Sequence, residues 1–165
     1  MAAKARKKAK QAKRTKPARP KAAARRPRIV KRKQPETLRL RAATPAFTVN
    51  DIHASIAWYR DVLGLAVGDQ WKEGDKLIGV ELKAGAISFI LNQDDWAQGR
   101  DRRKGVGFRL FCTTAQNVDD LAAGIKQRGG VLLHGPQNQV WGVRDFGIMD
   151  PDGFKISVQA PIKKR

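Results

Sequence analysis

The chain has 165 residues and a net charge of +19, with 34 Lys and Arg against 15 Asp and Glu. The excess sits at one end: residues 1–33 hold 16 basic residues and no acid, while residues 34–165 hold 18 basic and 15 acidic residues, a balance of +3. No apolar run reaches the roughly 18 residues that a membrane-spanning helix needs, and the single Cys112 excludes an internal disulfide.

The first segment, MAAKARKKAKQAKRTKPARPKAAARRPRIVKRKQP, has Ala as its main apolar residue and one isolated pair, Ile29 and Val30. Such a stretch buries too little surface to offset its ordering entropy, so residues 1–36 are expected to form a disordered basic tail. No apolar run follows the charges as a secretory signal requires. A Lys-rich, Ser-free segment without an amphipathic stripe also argues against a mitochondrial transit peptide. Its character is that of a histone tail, and residues 4–33 would bind nucleic acid non-specifically by counterion release. As a coil it would reach on the order of 30 Å, enough to tether a domain to a polyanion. A solubilising arm without a dedicated partner is the alternative. No helix-turn-helix or zinc motif accompanies it, and a cytoplasmic, nucleoid-associated location is expected.

Residues 37–165 read as one folded domain. AATPAFTV (42–49) predicts a strand. NDIHASIAWYRDVLG predicts a helix, capped by Asn50 or Asp51, with Ile52, Ile56, Tyr59 and Leu63 at helical spacing and Gly64 as its stop. LAVGDQW, LIGVEL and AISFILN predict three strands, the last two joined at Ala84-Gly85. A polar segment, QDDWAQGRDRRK, separates the halves. VGFRLFCTT then predicts a strand, NVDDLAAGIKQRGG a helix, and VLL, QVWGVRDFGIM and FKISVQA three more strands. Asp150-Pro151-Asp152-Gly153 is turn chemistry. The order strand, helix, glycine, three strands therefore occurs twice, at about 42–95 and 105–160. This predicts an α+β duplication.

FTVNDIHASIAWYRDVLGL resembles the opening signature of the vicinal oxygen chelate superfamily, and WGVRDFGIMDPDGFKISVQ resembles its closing hairpin. This superfamily holds glyoxalases, extradiol dioxygenases, and fosfomycin- and bleomycin-resistance proteins. The resemblance covers about residues 40–160. It implies paired βαβββ modules whose sheets curve into a cup, a ligand inside, and a homodimer around it. In the enzymes of the family a metal sits at the bottom of the cup, held by His, Gln or Glu. The matching positions here are Thr44, Phe89 (or Leu91 on the same strand face), Gly105 and Ser157. None is a good ligand, so the resemblance points to the metal-free branch typified by bleomycin-resistance proteins, with no cofactor and no catalytic residue. A glyoxalase-like lyase or isomerase with a differently placed metal is the competing reading. His53 in a first helical turn and His134 in an expected loop before Gly-Pro are read as surface residues, and Cys112 as packing.

Strand alternation then predicts what lines the cup. Arg109 and Phe111 would face it from the fifth strand, and Lys155, Ser157 and Gln159 from the last. Arg144, Phe146 and Ile148 would face it across the turn, with Phe89 and Leu91 from the first module. The ligand-binding set expected is Phe89, Arg109, Phe111, Arg144, Phe146 and Ser157, suited to a flat organic ligand carrying an anionic group. The alternative is that Arg109 and Arg144 pair with local acids such as Asp145 or Glu81. Trp58 is expected in the core; Trp71, Trp96 and Trp141 either line the rim or pack.

Overall fold

A computed structural model describes residues 42–162; the expectations for the tail, residues 1–36, lie outside them. The order is β1 (Ala46–Val49), α1 (Ile52–Asp61), β2 (Ala66–Glu73), β3 (Lys76–Ala84), β4 (Ile87–Gln93), β5 (Arg109–Thr113), α2 (Val118–Gln127), β6 (Leu132–Asn138), β7 (Val143–Met149) and β8 (Lys155–Pro161). Two four-stranded sheets result, β1-β4-β3-β2 and β5-β8-β7-β6. In each, the first strand runs parallel to the last and the other pairs are antiparallel. The duplicated βαβββ architecture is therefore present.

Local chemistry sets the helix ends. The Asp51 carboxylate accepts from the backbone N–H groups of His53 and Ala54, and the Asn117 side chain does the same for Asp119 and Asp120. Beyond each helix the chain turns through a glycine at positive φ, Gly64 at 80° and Gly129 at 85°.

The helices pack on one face of their sheets and share a core. Phe47, Val49, Val80, Leu82, Phe89 and Leu91 come from the first module; Val118, Ala122, Ile125, Phe146, Ile148 and Ile156 come from the second. Burying each large apolar side chain contributes about 1.5–3 kcal/mol. Phe47 joins the modules: its ring stacks on Phe154 at 4.7 Å and meets the edge of Phe108 at 5.8 Å. Polar ties add to this. Arg128 Nε donates to the Val62 carbonyl at 2.9 Å, and Asp152 Oδ1 accepts from the Asn50 N–H at 2.8 Å. Trp58 packs against the core and Cys112 is part-buried beside it.

Three expectations are corrected here. Phe89 and Leu91 face the helix side, because β1 pairs Phe47 with Leu91 and places both in the core. Phe146, Ile148 and Arg144 also face the helix side. The loop after Met149 contains five residues rather than four, so Met149 pairs with Lys155 and Phe146 with Val158. Asp150 enforces that length by accepting from the N–H groups of both Asp152 and Phe154, and a one-residue slip reverses every side chain. Finally, His134 lies in β6 rather than in a loop. β6 is an edge strand with irregular register, where Pro136 and a bulge are tolerated.

Candidate functional site

Each sheet keeps one face away from the helices. On the second sheet a single row crosses all four strands: Phe111 opposes Ser157, Ser157 opposes Gly147, and Gly147 opposes His134. The neighbouring row holds Arg109, Lys155 and Met149. Arg109 Nη1 donates to Ser157 Oγ at 2.9 Å, and this contact helps to leave Ser157 with no exposed surface while Phe111 beside it is 52% exposed. Gly147 leaves space for the His134 ring: a Cβ there would lie 2.7 Å from Nε2 and 2.8 Å from Cδ2. Asp145 is on the same face but buried, accepting from Gln139 Nε2 at 2.7 Å.

Of the residues expected to bind a ligand, the structure thus brings Arg109, Phe111 and Ser157 together and excludes Phe89 and Phe146, which are core. Arg144 makes a two-pronged bond to Asp119 of α2, at 2.6 and 2.8 Å, and its third contact is Asn138. Its local-acid reading holds, with a different acid. Sequence reasoning missed His134 and Met149. A bulged edge strand gives no regular alternation, so no signal in the sequence would have revealed His134. Met149 follows once the turn length is known.

The open face of the first sheet is built differently. Trp71 lies over Gly79, where a Cβ would come within 2.9 Å of its ring. Glu81 Oε1 accepts from Ser88 Oγ at 2.6 Å and its other oxygen lies 3.3 Å from Lys83 Nζ.

The connecting segment forms a clip around Asp94, which is 3% exposed. Its carboxylate meets Lys104 Nζ at 2.7 Å, Arg102 Nη2 at 2.9 Å and the Trp96 N–H at 2.9 Å. Lys104 above all, then the Trp96 amide, holds the Asp94 carboxyl far below the usual carboxylate range. Trp96 is left-handed at φ 62°, with Arg100 and Lys104 over its ring at 4.8 and 5.1 Å. Two clefts flank this clip. One, of about 300 Å³, touches Thr48, Asn92, Asp94 and Arg102. The other, of about 580 Å³, lies between the clip and the β7–β8 turn and includes Arg103, Lys104, Met149 and Lys155. Lys155 is the strand partner of Arg109, so this cationic cleft leads onto the Arg109–Ser157 face.

A metal does not suit the positions where the family would hold one. Ser157 is occupied by Arg109. Gly105 has φ 68°, and any Cβ there would collide with the carbonyl of Gly153 and sit 2.7 Å from the Phe154 nitrogen. Thr44 is exposed ahead of β1, and the residues of β4 on the open face are Ser88, Ile90 and Asn92. Among the described residues no three His, Cys, Asp or Glu side chains cluster as a metal site would need.

This architecture agrees with comparison to known proteins. The profile of the Glyoxalase/Bleomycin resistance protein/Dioxygenase superfamily matches residues 41–158, and the chain belongs to that superfamily. Similar solved structures include a virulence protein of Salmonella typhimurium, 24% identical with TM-score 0.58, covering 76% of this chain and 100% of that one. A protein of unknown function from Agrobacterium tumefaciens is 27% identical with TM-score 0.59, covering 76% and 98%. A glyoxalase/bleomycin resistance protein/dioxygenase from Nocardioides is 14% identical with TM-score 0.61, covering 78% and 89%.

Proposed function

We propose that this protein binds a flat, anionic organic molecule without a metal, sequestering it rather than transforming it. The observation that carries the reading is the Arg109–Ser157 bond beside the exposed Phe111. A guanidinium fixed by a buried hydroxyl keeps further N–H donors for a carboxylate or related anion, while the aromatic side chain offers a ring surface. The cationic cleft at Arg103 and Lys155 raises the local concentration of anions at the entrance. A homodimer would cover the open faces and complete the enclosure. Residues 4–33 carry the second part of the proposal, a non-specific nucleic-acid tether that would place a cytoplasmic protein on the nucleoid. No helix among the described residues is long and apolar enough to cross a membrane.

The test is elemental analysis and a melting scan with Zn, Ni, Mn and Fe(II), on protein purified without a His tag. Absence of bound ion and of any stabilisation agrees with the reading. One ion per subunit overturns it in favour of a glyoxalase-like lyase. For the tail, retention on DNA in a salt gradient is compared before and after deletion of residues 1–35. Undiminished retention would rule the tether out.

A further inference from the structure

We propose that the Ser157–Gly147–His134 row selects a hydroxyaryl acid, with Arg109, held in place by Ser157, receiving the anionic group and His134 receiving the hydroxyl. This rests on reading the open face as a ligand site. His134 Nδ1 lies 3.1 Å from the carbonyl oxygen of Gly135. A carbonyl only accepts, so Nδ1 carries the proton in that bond and Nε2 of the neutral ring is a bare acceptor. The Nε2–Cδ2 edge is the part of the ring that lies over Gly147. Gly147 is the only residue between His134 and Ser157 in the row, and it contributes no side chain.

At the other end, Ser157 Oγ accepts from Arg109. Ser157 has no exposed surface, so it fixes the guanidinium and leaves the remaining Arg109 N–H groups as the donors. Arg109 has no carboxylate within ion-pair distance among the described residues. The row therefore presents donors at one end and an acceptor at the other; the two backbones lie two strand spacings apart, about 10 Å, and the His134 ring reaches back over Gly147 to shorten that gap. A simple carboxylate satisfies the donors and leaves Nε2 unmatched. A ring carrying both a carboxylate and a nearby hydroxyl satisfies both ends, with its face toward Phe111.

The experiment is a titration of the full chain with benzoate, 2-hydroxybenzoate and 3-hydroxybenzoate, at fixed ionic strength so that the tail contributes equally. One hydroxybenzoate isomer is expected to bind roughly tenfold tighter than benzoate, the discrimination of one well-made hydrogen bond. His134→Phe should abolish that preference. His134→Gln, which restores an acceptor, should recover part of it. Arg109→Gln should weaken all three probes. His134 is half-buried on an edge strand, and a melting curve checks that its substitutions leave the fold intact. Equal affinity for the three probes, or a preference that survives His134→Phe, overturns the role of His134 and leaves the anion site standing. No binding of any probe, or binding indifferent to Arg109→Gln, overturns the ligand-site reading and this inference with it.

Discussion

Tyr59 Oη donates to Asp150 Oδ2 at 2.8 Å, joining α1 of the first module to the turn before β8 across 91 residues, with both groups buried. The same carboxylate holds its own turn through the Asp152 and Phe154 amides. Tyr59→Phe removes one donor from a carboxylate that burial already pushes toward its neutral form. A loss of about 1–3 kcal/mol is expected, read from urea unfolding. A change below a few tenths would mean that the bond contributes nothing net.

The same residue predicts an alkaline limb. Burial, reinforced by Asp150, raises the Tyr59 pKa well above its ordinary value of 10.0. The folded state therefore keeps the phenol neutral while the unfolded chain ionises. This contribution is fully present below pH 10 and is lost as pH rises above it. Stability should fall less steeply above pH 10 in Tyr59→Phe than in the parent. Superimposable slopes would contradict this.

Asp94 has the opposite sign. Its folded pKa is depressed, chiefly by Lys104, so its contribution is present above the unfolded value of about 3.9 and drains away as pH falls through and below it. Asp94→Asn should lower the urea midpoint at neutral pH and flatten the acid limb between about pH 4 and 2. Curves that stay parallel down to pH 2 would show that the clip is not linked to folding.

The register of β7 is tested by a pair of phenylalanines. Phe146 is fully buried and Phe111 half exposed. Phe146→Ala is expected to destabilise by about 3–5 kcal/mol, and Phe111→Ala by under about 1 kcal/mol. Comparable losses would refute the placement of the two rings on opposite sides of the sheet.

Gly105 and Gly107 have nearly the same φ, 68° and 72°, but only at Gly105 would a Cβ meet backbone. Gly107→Ala should cost about 1–2 kcal/mol for the left-handed conformation alone. Gly105→Ala should lose a further 1–3 kcal/mol or so from the crowding against Gly153. Equal effects on the melting temperature would remove the steric argument against a side chain at this position.

The duplicated order of elements was legible because helix caps, helix-ending glycines and turn residues punctuate the chain on local rules. The phase of β5 and β8 was legible too, since both strands alternate without interruption from Arg109 and Lys155. The phase of β7 was not. It depends on whether Phe154 belongs to the turn, and that is decided by Asp150 bonding two amides, which composition does not reveal. β6 was truncated in the sequence reading because Gly135-Pro136 looks like a terminator, while an edge strand accommodates it. The Asp94 clip was hidden for a different reason: QDDWAQGRDRRK reads as solvated charge until Lys104 is seen to be buried against its carboxylate.

That clip bears on how two copies of the chain would come together. Exchange of modules between copies requires the connector to straighten, which would strip Asp94 of both cations and part Trp96 from Arg100 and Lys104. Nothing in an extended connector replaces those contacts. Association by surface docking would leave them intact, with each copy keeping its own two halves.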